Sequence, residues 1–176
     1  MKSNVNRIIA ILAIIIVNIG CDQITKDMAR EQIEYNERIE VIGDNLILTK
    51  VENSGAFLGM GSNLSPIFKN ILLLGLPGVV MIGLFVFLLI KKDLTKLAIV
   101  GLSFIVGGGI GNLYDRILYG SVTDMVHIDL GGVFRTGIFN AADVSVMIGT
   151  GLILLEQFLT RKDHEKAKEA AVQSED

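Results

Sequence analysis

Tryptophan is absent from the 176-residue chain, and cysteine occurs once, as Cys21. One thiol excludes an intramolecular disulfide and any CxxC redox or metal motif. Histidine occurs twice, as His127 and His164, which excludes a multi-histidine metal site. Charge is scarce too, at 20% of residues against 51% hydrophobic. With a net charge of −3 and a pI near 5.4, no basic field exists to hold a polyanion, so nucleic acid is not expected as a partner. The same balance excludes a disordered or collagen-like chain.

What the chain has instead is long uncharged apolar runs, and a mean hydropathy of +0.54. A membrane-crossing helix needs about 20 mostly apolar residues to span a ~30 Å hydrocarbon core. Ile71 to Ile90 and Leu97 to Tyr114 are uninterrupted by charge. Ile8 to Cys21 stops at Asp22, and Thr136 to Leu155 is broken only by Asp143. The fold expected is a mainly α integral membrane protein with four transmembrane helices, about 7–26, 68–90, 95–117 and 139–160. They form one membrane-embedded domain over 1–162, with outer loops 27–67 and 118–138 and a charged tail at 163–176. The first run has a rival reading as a secretory signal peptide, because Asn18-Ile-Gly-Cys21 is similar to a lipobox. Three further spans favour a packed helix instead.

Four spans put both termini on one side. That side carries Lys2, Arg7, Lys91, Lys92, Lys96, Arg161 and Lys162, so the positive-inside rule makes the termini cytoplasmic. The loops on the other side read as small β elements. Arg38 to Val51 alternates around Gly43-Asp44-Asn45, a hairpin turn. Ser121 to Leu130 alternates as well. It puts Val122, Asp124, Val126 and Ile128 on a face toward the apolar body, and Thr123, Met125, His127 and Asp129 on the other.

This topology gathers polar residues from separate segments at one membrane interface: Asp22 and Lys26, then Asn112, Asp115 and Arg116, then Asp124, then Asn140 and Asp143. Singly, each has a structural explanation. Asp22 and Lys26 make an i,i+4 pair, Arg116 is a headgroup anchor with Asp115 as its partner, and Asn140 caps the last helix with Asp143 at its third position. Together they are harder to dismiss, because ionisable groups at membrane depth are costly. Asp124 is the hardest case, being desolvated without a basic neighbour in its own segment. Two carboxylates that meet share a proton and can hold a water between a base and an acid. No GxSxG, Ser-Lys or HExxH pattern offers another chemistry. The glycines at 107–111 follow no strand and read as close-packing residues.

Five blocks in order resemble the lipoprotein signal peptidases, or signal peptidase II. They are Asp22-Gln-Ile-Thr-Lys26, Asn53-Ser-Gly55-Ala56-Phe57, Gly107-Gly108-Gly-Ile-Gly111-Asn112-Leu-Tyr-Asp115-Arg116, Val122-Thr-Asp124 and Phe139-Asn140-Ala-Ala142-Asp143. The resemblance implies an aspartic endopeptidase of the bacterial cytoplasmic membrane with Asp124 and Asp143 as its dyad. Its substrates would be diacylglyceryl-modified prolipoproteins, cut just before the modified cysteine. It further implies a small extracytoplasmic β-sheet cradle carrying Asn53 and Gly55, with a second outer loop. Asn112, Arg116 and Asn140 would position substrate and dyad. Asp22 and Lys26 would brace the site, Asp115 would orient Arg116, and Gly108 and Ala142 would bind substrate or support the site. A monomer without metal or other cofactor, in contact with membrane lipid and inhibited by globomycin-type compounds, completes the expectation. Met125 after Asp124, and the lack of tryptophan and proline before Phe139, depart from the family pattern. The competing readings are a transporter with buried carboxylates and a non-catalytic membrane anchor.

Overall fold

The structure is a computed structural model and describes residues 2–55 and 65–173. Ala56 and Phe57 of the second block, and the last three residues of the tail, lie outside these. Five helices and one small sheet follow in the order α1 (Lys2–Gln32), β1 (Ile39–Ile42), β2 (Leu46–Asn53), α2 (Pro66–Asn70), α3 (Leu76–Ile90), α4 (Lys96–Tyr119), β3 (Val122–Ile128) and α5 (Ala141–Gln173). A π turn, Ile71–Gly75, joins α2 to α3 in one continuous rod. Its cause lies in Pro77, whose ring denies a bond to the carbonyl four residues back and crowds it; widening the preceding turn relieves both.

Among the described residues, four stretches are long and apolar enough to cross a membrane: Asn4–Gln32, Ile67–Ile90, Lys96–Tyr119 and Ala141–Lys162. The protein is therefore a multi-pass membrane protein, inverted relative to a soluble domain. Its exposed side chains are Ile9, Ile16, Val79, Ile82, Ile117 and Met147 and their like, while buried ones include Asn18, Asp22, Lys26 and Asp115. The first helix outruns the expected boundary of Lys26 by six residues, to Gln32. Its buried stripe explains why. Ile11, Ile15, Asn18, Asp22, Lys26, Ala29 and Ile33 recur at spacings of three and four, so Asp22 and Lys26 belong to the inward face of a continuing helix. The expected outer loop at 27–67 is shorter for the same reason. The last helix likewise continues to Gln173, into the expected tail.

Glycine lets the helices touch. A Cβ on Gly107 would lie 2.8 Å from that of Asn18, and one on Gly101 would lie 2.9 Å from the carbonyl oxygen of Gly149. Small residues thus bring α4 against α1 and α5, the packing device that membranes favour. An apolar core of Ile11, Ile15, Leu88 and Val106 fills the end of the bundle remote from the sheet.

The sheet is antiparallel, in the order β1-β2-β3. It is built from both connecting loops, so the expected cradle and second loop are one structure. Alternation holds only in part: Val122, Thr123, Asp124 and Met125 are all buried. The face expected to be open is covered by α1, where Met125 packs with Ala29 and Ile33.

Candidate active site

Three helix ends and the sheet converge at one end of the bundle. The link begins on α1. Lys26, fully enclosed, gives its ammonium to Asp22 Oδ2 at 2.7 Å, Asn112 Oδ1 at 2.9 Å and Asp115 Oδ2 at 3.1 Å. An ammonium has three protons and no acceptor, so this set exhausts it and fixes the rotamer of Asn112. With its oxygen facing Lys26, Asn112 turns its Nδ2 to Asp143 Oδ1, at 3.0 Å. Asp22 reaches across as well, its Oδ1 accepting from the backbone N–H of Ala142 at 2.9 Å.

Local sequence sets the start of α5. The side-chain oxygen of Asn140 accepts from the backbone N–H of Asp143 at 3.0 Å, and Asp143 Oδ2 accepts from the N–H of Asn140 at 3.2 Å. This is a reciprocal capping box, satisfying two donors that the helix leaves open. Capping leaves Asn140 Nδ2 free to donate to Asp124 Oδ1, at 2.6 Å. Asn53 Nδ2 donates to the other oxygen, Asp124 Oδ2, at 3.0 Å. The structure therefore brings Asp124 and Asp143 onto one asparagine, Asn140, from a strand and a helix start. The capping bonds and the bonds to Asp124 and Asn112 coexist in the same two residues.

Asp124 is 4% exposed. Burial, reinforced by the nearby Asp143 charge, pushes its carboxyl from 3.8 up to about 6, against the opposing pull of the Asn53 and Asn140 hydrogen bonds and of Lys26. Two carboxyl groups of which one holds its proton unusually late can act together as acid and base on a bound water.

Other residues sit less simply. Arg116 has a partner within the protein: its Nη2 donates to the Gly55 carbonyl at 3.0 Å, tying α4 to the end of β2. Gly55 is held in turn by its N–H on Asn53 Oδ1, at 3.0 Å. The expected pairing of Asp115 with Arg116 is not what the structure has. Asp115 is fully buried and takes Lys26, Arg30 at 3.0 Å, Gln23 at 3.0 Å and the N–H of Thr123 at 3.2 Å. Its side chain points to α1, one helical step round from Arg116. Gly108 packs on the Ala142 carbonyl and Ser145, so it admits the start of α5.

Sequence reasoning did not single out Gln23, Arg30, Glu52 or Thr123, which join this network. A signal existed for Arg30, which lies four residues after Lys26 on the same helix face.

The family model described as "Signal peptidase (SPase) II" matches residues 14–159, which contain all of these groups. The chain belongs to the signal peptidase II family. A lipoprotein signal peptidase of Clostridium novyi (strain NT) is 36% identical over 149 residues, covering 85% of this chain and 96% of that protein. One of Chlorobium phaeobacteroides (strain DSM 266 / SMG 266 / 2430) is 38% identical over 141 residues, 76% of this chain and 81% of that one. A bacterial membrane enzyme solved by the in meso method superposes with a TM-score of 0.77 at 27% identity, covering 88% of this chain and 90% of the other. Family membership makes the chain a membrane protease of lipoprotein processing, on a fold it shares with those enzymes.

Proposed function

We propose that this signal peptidase II removes signal peptides from bacterial prolipoproteins as an aspartic endopeptidase, cutting just before the diacylglyceryl-modified cysteine. The observation that carries the reading is the attachment of Asp124 and Asp143 to Asn140, with Asp124 buried and its pKa raised. In the mechanism, a water held between the two carboxyls attacks the scissile carbonyl carbon. Asp143 takes a proton from that water. Asp124, whose pKa is raised to about 6, gives its proton to the developing oxyanion, forming a gem-diol. Breakdown then transfers a proton to the leaving amine of the modified cysteine.

Arg116 has a buried Nε without a hydrogen-bond partner among the described residues, and its place beside Gly55 suits a substrate carbonyl. Asp22, Lys26 and Asp115 brace Asn112, and so Asp143. The apolar signal helix and its diacylglyceryl chains stay in lipid while the bond reaches an interfacial site. Cations at the opposite helix ends, Arg7, Lys91, Lys92, Lys96, Arg161 and Lys162, favour cytoplasmic termini and a dyad at the outer face of the cytoplasmic membrane.

The test is cleavage of a lipidated lipobox peptide by the purified protein in detergent. The parent should cut before the modified cysteine and be blocked by globomycin, whereas Asp124→Asn and Asp143→Asn should be folded and inert. Normal cleavage by either variant would refute the dyad.

A further inference from the structure

We propose that Arg30 and Thr123 are positioning residues: a hydrogen-bonded relay from Arg30 through Thr123 to Glu52 sets the strand register that turns Asp124 toward Asp143. The proposal rests on the dyad reading above.

The need for a relay comes from the sheet. From Leu46↔Ile128 to Leu48↔Val126 the β2–β3 ladder is regular, and it resumes as Val51↔Asp124, Glu52↔Thr123 and Asn53↔Val122. Between Leu48 and Val51, β2 advances three residues while β3 advances two. That surplus residue is a β-bulge, and it uncouples the second ladder from the first. A slip of one residue in the short second ladder would swing Asp124 to the opposite face of the sheet, away from Asn140.

The relay occupies that opposite face. Arg30 Nε donates to Thr123 Oγ1 at 3.0 Å, and Thr123 Oγ1 donates to Glu52 Oε1 at 2.7 Å. Glu52 and Thr123 are direct cross-strand partners, and the second oxygen of Glu52 accepts from Ser121 Oγ. One residue further along each strand, Asn53 donates to Asp124 on the dyad side. The bulged ladder is thus bound across both faces.

Thr123 is fully buried and leaves nothing unused. Its N–H goes to Asp115 on α4, its carbonyl accepts from Asn140 at 3.4 Å, and its hydroxyl bonds both α1 and β2. Arg30 is held elsewhere too, with Nη2 ion-paired to Asp115 at 3.0 Å, Nη1 to Asp27 at 2.9 Å and its guanidinium 4.1 Å over the Tyr119 ring. Its planar fork allows these contacts at once. Valine matches threonine in shape but would strand the Arg30 donor and the Glu52 acceptor.

The experiment measures kcat and KM on the lipidated lipobox peptide for Thr123→Val, Thr123→Ser, Arg30→Met and the double variant Arg30→Met/Thr123→Val, beside Asp124→Asn. Small misplacements of a reacting group cost large factors in rate, so Thr123→Val should lower kcat about tenfold or more with KM within about twofold. Thr123→Ser keeps the hydroxyl and should stay within about twofold of the parent. The double variant should be no slower than the slower single, because both break one chain of bonds. Parental kcat in Thr123→Val, an equal loss in Thr123→Ser, or multiplying losses in the double variant would overturn the relay. Should Arg30→Met not fold, the two Thr123 variants decide alone. Cleavage by Asp124→Asn would instead overturn the dyad, so the two failures are distinct.

Discussion

Replacing Lys26 by methionine probes the charge balance beneath the site. Lys26 and Arg30 face Asp22 and Asp115, two cations to two anions, and Lys26, Asp22 and Asp115 have no exposed side-chain surface. Methionine is close to lysine in length and volume, so packing survives and only the charge and its three bonds are removed. Asp22 then keeps the Gln23 and Ala142 donors but loses its ion-pair partner. Breaking a buried pair on one side costs about 3–5 kcal/mol, because the remaining charge stays desolvated. Folded proteins have only about 5–15 kcal/mol in hand. At about 2–4 °C per kcal/mol, the unfolding midpoint should fall by about 6–20 °C. The assay is thermal unfolding in detergent followed by far-ultraviolet circular dichroism. A companion variant, Lys26→Met with Asp22→Asn, removes the stranded anion yet keeps an oxygen for the Ala142 N–H, and should recover at least about half of the loss. A single variant within about 1 kcal/mol of the parent, or a double variant less stable than the single, would refute the reasoning.

Asp124 has a folded pKa of about 6, above its ordinary 3.8, so its contribution to stability is complete below about pH 4 and is lost as pH rises through 6, a change of about 3 kcal/mol. Unfolding midpoints from pH 4 to 7 should therefore fall in the parent and stay flatter in Asp124→Asn; parallel curves would contradict this. The same carboxyl should place the descending limb of kcat/KM near pH 6, and a plateau running to pH 8 would remove it from the chemistry. Gly111→Ala should lower stability by about 1–3 kcal/mol, since its Cβ would stand 2.5 Å from Asp22 Oδ2, whereas Gly20→Ala, with nothing within 4 Å, should be neutral or stabilising. Thermal unfolding of the pair compares them, and equal effects would sink the packing argument.

Spans, hairpin and the polar layer were legible because each has a local signal. Apolar runs of helix length give the spans, Gly43-Asp44-Asn45 gives the turn, and Asn140 with Asp143 gives a cap. What was not legible depends on contacts between distant segments. Lys26 looks like a helix end because a buried lysine needs partners, and Asp22 is the one acid a helical turn away on the same face; Asp115 and Asn112 arrive from α4. Asp115 and Arg116 look like partners because they are adjacent, yet adjacent residues on a helix point about 100° apart. Burial on both faces of β3 was hidden for a similar reason. Alternation reports one covered face, and the second is covered by the extension of α1 past Lys26, itself unread.

Mutual dependence among buried charges holds a polar cluster in an apolar protein. Lys26, Asp115 and Arg30 are each too expensive to bury alone and acceptable only as a set. The set spends its bonds outward: Lys26 orients Asn112 for Asp143, and Arg30 and Asp115 hold Thr123 beside Asp124. Asp124 and Asp143 are each thereby fixed through a neighbour rather than by a direct ion pair. A direct pair with lysine would hold Asp124 ionised and deprive it of the proton that the proposed mechanism uses. Neutral asparagines at Asp124 supply geometry at a smaller electrostatic cost, which leaves burial free to keep its pKa near 6.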